Sequence, residues 1–117
     1  MAAANKAKSQ KNVIFLYNKT EDVLSIEKKK KGRVKASIDI GEVILDINDK
    51  GAVIGIEIFK ASKNIGATKE FLSKMTSASL SSRQGQSFLV VRLLLFLDDI
   101  PITHTTHLPM TQEVLRA

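Results

Sequence analysis

The sequence predicts an α+β fold, mainly an antiparallel β meander with one packed helix and a C-terminal β-hairpin. Three observations predict it. Residues 46–62, DINDKGAVIGIEIFKAS, read as two paired strands and their turn; residues 34–40 alternate apolar and polar; and helical spacing first emerges at Phe71, Leu72 and Met75.

Each element follows from its residues. Residues 1–11 are small, polar and basic without periodicity, the composition of a mobile tail outside the fold, which leaves 12–117 as a single domain. Residues 13–17, VIFLY, make a strand able to bury both faces, and Asn18 to Asp22 a polar turn into a second strand, 23–28. Lys28 to Lys31 with Gly32 then form a charged hairpin tip, after which Val34, Ala36, Ile38 and Ile40 share one face and Arg33, Lys35, Ser37 and Asp39 the other. At Gly41 the phase slips to Val43, Leu45 and Ile47, which a bulge or corner there would reconcile. Asn48-Asp49-Lys50-Gly51 suits a type I turn closed by a glycine at positive φ, with Ile54, Ile56 and Ile58 facing inward beyond it.

After Lys60 the β-branched density falls. A turn of helix at 61–65, broken by Gly66, leads to a helix from Thr68 to about Ser77, and the Ser-rich stretch 77–86 reads as a loop. Residues 88–97, FLVVRLLLFL, are apolar at both parities and read as a strand buried on both faces. Asp98-Asp99 turns into 100–110, where Ile102, His104 and Leu108 share a face and Pro101 and Pro109 demand an edge position. Thr111 caps a last short helix, 112–117.

Composition bounds the function. At 117 residues the chain holds one core, and with no Cys it has no disulfide framework, thiol nucleophile or thiolate metal site, so a cytoplasmic home is expected. No secretory signal precedes the fold, and the apolar run 88–97, broken by Arg92, is far short of the roughly 20 residues of a membrane helix, so no membrane partner is expected. Charge is lopsided. Residues 1–36 hold ten Lys and Arg against three acids, while the remaining eight and nine nearly cancel. Such asymmetry favours an anionic partner such as nucleic acid, although Lys-rich surfaces also serve solubility.

The candidate sites divide by chemistry. Lys28, Lys29, Lys30, Lys31, Arg33 and Lys35 would place cations along a two-stranded ribbon able to straddle phosphates, against the simpler reading of a solvated turn; the ribbon lacks aromatics for stacking. His104 and His107 spell H-x-x-H, but on a strand they point to opposite faces and cannot share an ion, so a structural His104 is the reading. Asp39, Glu42, Asp46, Asp49 and Glu57 form an acidic series around Gly41 that matches no calcium loop, and Asp46 and Asp49 most simply shape the turn. Gly51 and Gly55 belong to no phosphate loop, and Ser79, Ser81 and Ser82 have no base at readable spacing. No catalytic, metal or cofactor residue is therefore assigned. Phe88, Val90, Arg92, Leu94 and Phe96 share one face of the apolar strand, which calls for a cover, either the helix or a second subunit.

The residues Tyr17, Asp22-Val23-Leu24-Ser25-Ile26, Gly41 to Asp46, Gly51 to Ile58 and Ala61-Ser62 resemble the family of small archaeal and bacterial proteins named Domain of Unknown Function 2283. The likeness spans about half the chain and is sharpest at VIGIEI and its turn; the Lys28 to Lys31 run departs from it. It implies a compact antiparallel sheet followed by a helix and no established activity. Members are often encoded beside other small proteins, some toxin-like, which implies a protein partner.

The expected function is that of a small non-enzymatic interaction protein, binding a protein partner or itself, as a homodimer, through sheet edges and the apolar 88–97 strand. The alternative is a nucleic-acid-binding module using the basic tail and the Lys28 to Lys35 hairpin.

Overall fold

The computed structural model describes residues 7–9, 12–29 and 32–109. Nine strands and two short helices occur among them: β1 Lys8–Ser9, β2 Val13–Asn18, β3 Val23–Lys28, β4 Val34–Ile40, β5 Val43–Asn48, β6 Val53–Phe59, α1 Ala61–Ile65, α2 Lys69–Lys74, β7 Ser77–Gln84, β8 Phe88–Leu97 and β9 Ile100–Pro109. All strand pairs are antiparallel, in a six-stranded sheet ordered β1-β2-β3-β6-β5-β4 and a three-stranded sheet ordered β7-β8-β9. The α+β class, the antiparallel meander and the C-terminal hairpin are as the sequence predicts.

The larger sheet is two meanders joined by one crossover. β3 pairs with β2 and β6, so both its edges are taken and β4 is carried past β6 and β5 to the far edge. This corrects the expected hairpin between residues 28 and 34. A second correction concerns Gly41: at φ 68° it opens a two-residue turn, with Ile40 opposite Val43, so a tight hairpin produces the phase slip and not a bulge or corner. One bulge lies instead on β4, between Val34 and Ala36, and the other on β6, where the register shifts between the Asp46–Gly55 and Ile47–Val53 pairs. The bulge on β6 turns Val53 into the core cluster, whereas Ile54, though buried, stands apart from it.

The turn into β6 forms as expected. The Gly51 N–H donates to the Asn48 carbonyl at 3.1 Å with Gly51 at φ 80°, while the Asn48 side-chain oxygen accepts from the N–H groups of Lys50 and Ala52. Gly66, at φ 80°, ends α1, and Thr68 caps α2 through the Phe71 N–H.

Two expected irregular segments are strands. Residues 77–84 form β7, because Ala78 and Leu80 point into the core while Ser79 and Ser81 face solvent, a period of two that serine's weak strand preference hides. At the other end, Lys8 and Ser9 pair with Phe15 and Ile14, and the Lys8 ammonium donates to the Met75 carbonyl at 2.8 Å, so this part of the expected tail belongs to the fold. The predicted helix at 112–117, Met110 and most of the basic tail lie outside the described residues.

The inner faces of the two sheets share one core. Leu24, Ile56 and Leu45 from the larger sheet meet Leu80, Leu93 and Leu95 from the smaller, with Leu72 and Met75 at the α2 end. Each such side chain withdrawn from water contributes about 1.5–3 kcal/mol, so their burial together is the main term that holds the two sheets together. Two hydrogen bonds fix how the sheets meet: the Val53 N–H donates to Ser82 Oγ at 3.1 Å, and Gln84 Nε2 donates to the Gly51 carbonyl at 3.1 Å.

Candidate interaction face

β8 is the central strand of the smaller sheet, and its two faces differ. Leu89, Val91, Leu93 and Leu95 point inward and are buried, whereas Phe88, Val90, Arg92, Leu94 and Phe96 point outward, with Phe88 49% exposed. The expectation that both faces are covered fails, because α2 joins the core on the inner side and leaves the outer side to solvent. All five residues read as an interface thus stand on one outer face, with Phe88 and Arg92 exposed and Val90, Leu94 and Phe96 half-buried.

The register of the sheet sets their neighbours. Across β7, β8 and β9 one row runs Ser81, Arg92, Thr105 and the next runs Arg83, Val90, His107. Together they line a shallow depression of about 440 Å³. Residues 77–97 and 100–109 contain no Asp or Glu, so the arginines have no carboxylate neighbour on this sheet. Sequence reasoning left out Arg83 and weighed Ser81 and His107 only as catalyst and metal ligand. The missing signal was this acid-free stretch, which becomes meaningful once 77–84 is known to be a strand.

The Lys28 to Lys35 cations are not brought together on a ribbon. Lys28 ends β3 opposite Val13, the Lys29 N–H donates to the Asn12 carbonyl at 2.9 Å, and Arg33 lies just before β4 and Lys35 within it, at the other side of the sheet; Lys30 and Lys31 lie outside the described residues.

The acidic series is likewise dispersed. Glu42 accepts from Asn64 at 3.1 Å and pairs with Lys60 at 3.1 Å, contacts that hold its carboxyl below the usual glutamate range and tie the β4–β5 turn to α1. Asp46 is not a turn former: it lies on the outer face of the larger sheet and accepts from Ser37 at 2.7 Å. Glu57 points to that same face, and Asp49 is exposed in the β5–β6 turn. Among the described residues no group of three His, Asp or Glu is placed to hold a metal.

The two histidines stand on opposite faces of β9. His104 is half-buried on the inner side, 3.1 Å from Thr106 Oγ1, and burial lowers its pKa. His107 is outward, with its ring 6.5 Å from that of Phe88, edge to face.

A fourth cluster is structural. Asp22, in the β2–β3 turn, accepts from the Ser62 N–H at 3.0 Å and from Ser62 Oγ at 2.7 Å, and its own carbonyl accepts from the Ala61 N–H at 2.9 Å. α1 begins at Lys60 without a side-chain cap of its own, so the Asp22 carboxylate takes that role from a distant turn. Among the described residues no helix is long and apolar enough to cross a membrane.

No curated protein and no solved structure matches the chain. Residues 15–62, from β2 through the Ala61-Ser62 step into α1, match the family described as Protein of unknown function (DUF2283).

Proposed function

We propose that the chain is a small non-enzymatic interaction protein and that the outer face of β7, β8 and β9 binds a protein partner. One observation carries the reading: exposed Phe88 and half-buried Val90, Leu94 and Phe96 lie on the outer face of the central strand of a sheet whose inner face holds the buried Leu89, Val91, Leu93 and Leu95. Arg92 interrupts this stripe at its middle. A twofold contact centred there would set Arg92 against Arg92, so a different chain presenting an apolar surface is the better occupant than a second copy. The nucleic-acid alternative has less support, because β3 and β4 do not pair into the ribbon it would use beside the basic tail.

The test uses the protein purified from its own cells at low and then moderate salt, beside the variant L94S/F96S. A stoichiometric partner that survives the salt step with the native chain and is lost with the variant supports the reading. Retention by the variant refutes it. A dimer of the purified native chain in sedimentation, dissociated by L94S/F96S, transfers the face to self-association. Nucleic acid that leaves at moderate salt, and that Ala at Lys28 to Lys31 abolishes, restores the lysine reading.

A further inference from the structure

We infer that the six residues Ser81, Arg92, Thr105, Arg83, Val90 and His107 form an oxyanion site for a phosphoryl group. Arg83 and His107 lie directly opposite Val90 from either side, and Arg92 is two residues along the same strand, so each is its diagonal neighbour at about 7–8 Å. Two guanidinium groups at that spacing repel each other, and the common remedy is a carboxylate in the next cross-strand position. This sheet supplies none: the nearest acids along β8 are Asp98 and Asp99, six residues beyond Arg92 or about 20 Å away. What stands beside Arg92 instead is a hydroxyl on each side, from Ser81 and Thr105.

That donor set matches a phosphoryl group. Guanidinium forks bind planar pairs of oxygens in two directions, hydroxyls can donate to a third oxygen, and the short Val90 side chain leaves the floor open. The depression, about 440 Å³, has room for the group and for part of what carries it. The inference does not rest on the protein-partner reading, since it uses the polar centre of the face and not its apolar ends.

The experiment is an amide NMR titration of the full chain with sodium phosphate at fixed ionic strength, with chloride and acetate as parallel arms. Phosphate is expected to give saturable shifts confined to 81–83, 90–92 and 105–107. R83Q and R92Q should each weaken binding about tenfold while keeping the native spectrum, as expected when a charge-assisted contact at an exposed side chain is removed. R92K, which keeps the charge and loses the fork, should fall between. L94S/F96S should bind phosphate as the native chain does, which separates this inference from the preceding one. Shifts that are linear and equal in phosphate and chloride overturn the site. Equal saturation by acetate overturns the phosphoryl assignment. Tighter binding of an oligothymidylate, with shifts spread along all of β8, overturns it in favour of a nucleic-acid strand.

Discussion

Tyr17 donates its phenolic hydroxyl to Asp22 Oδ1 at 2.6 Å, inside the turn that the two residues bracket. The bond joins the larger sheet to α1, because the same carboxylate holds Ser62. Asp22 sits at φ 58°, a conformation Asn and Asp tolerate and Ala resists. Asp22→Ala should therefore cost about 2–3 kcal/mol: it removes the cap of α1, leaves the buried Tyr17 hydroxyl without its partner and strains the turn. Asp22→Asn keeps an acceptor and the backbone preference and should cost less. Tyr17→Phe should cost about 1 kcal/mol, and the double variant less than the sum, in urea unfolding followed by circular dichroism.

The pH dependence of stability follows from the same pair. Burial would raise the Asp22 carboxyl, but the hydrogen bonds from Tyr17 and Ser62 outweigh it and hold the group below its ordinary 3.8. Its contribution is then full above the unfolded value and drains away as pH falls through the lower native one. Tyr17 moves the other way: burial first, then the Asp22 carboxylate, push its phenol far above 10.0. That contribution is full below pH 10 and is lost as pH rises, because the unfolded chain ionises while the folded one does not. Glu42 and Glu70, also held low, add to the acid limb. The measurement is therefore the difference between native and Asp22→Asn unfolding curves from pH 6 down to pH 2, which should narrow as pH falls. A constant difference would refute the linkage.

His104 adds a step nearer neutrality. Burial beside Leu93 lowers its pKa from 6.5, so the folded chain favours the neutral ring. Its stabilising effect is complete above pH 6.5 and declines below it, as the unfolded state takes up a proton first. His104→Leu should abolish this step and, by added apolar burial, raise stability on the order of 1 kcal/mol. Thermal melts at pH 7.5 and pH 5 should separate for the native chain more than for the variant.

How much of this was legible depends on how local each signal is. The β5–β6 hairpin was readable because its turn residues and its apolar alternation lie within one short stretch, and the edge position of β9 because Pro101 and Pro109 cannot donate to a ladder. The crossover was not. Residues 28–34 look like any charged hairpin, and only the competition of β6 for the free edge of β3 sends β4 elsewhere, a contest decided some thirty residues away. β7 stayed hidden because serine at the outward positions imitates a loop. The interface residues were placed on one face by parity alone, but the Arg83–Arg92–His107 grouping needs the registers of three strands, which no local pattern encodes.

Gly51 offers a test of how the two sheets are held. Its φ of 80° already disfavours any side chain, and a Cβ there would come within 2.8 Å of Gln84 Nε2, the atom that donates to the Gly51 carbonyl. Gly51→Ala should thus cost the left-handed strain, about 1–2 kcal/mol, and also dislodge Gln84. Gln84→Ala alone loses only one partly exposed hydrogen bond, about 0.5–1.5 kcal/mol. If the clash is real, the double variant should be more stable than Gly51→Ala by itself, because the obstructing amide is gone while the backbone strain remains. Urea unfolding of the three variants decides this. A double variant that is the least stable of the three would show that Gln84 keeps its bond to the carbonyl of residue 51 in Gly51→Ala and that strain alone accounts for the glycine.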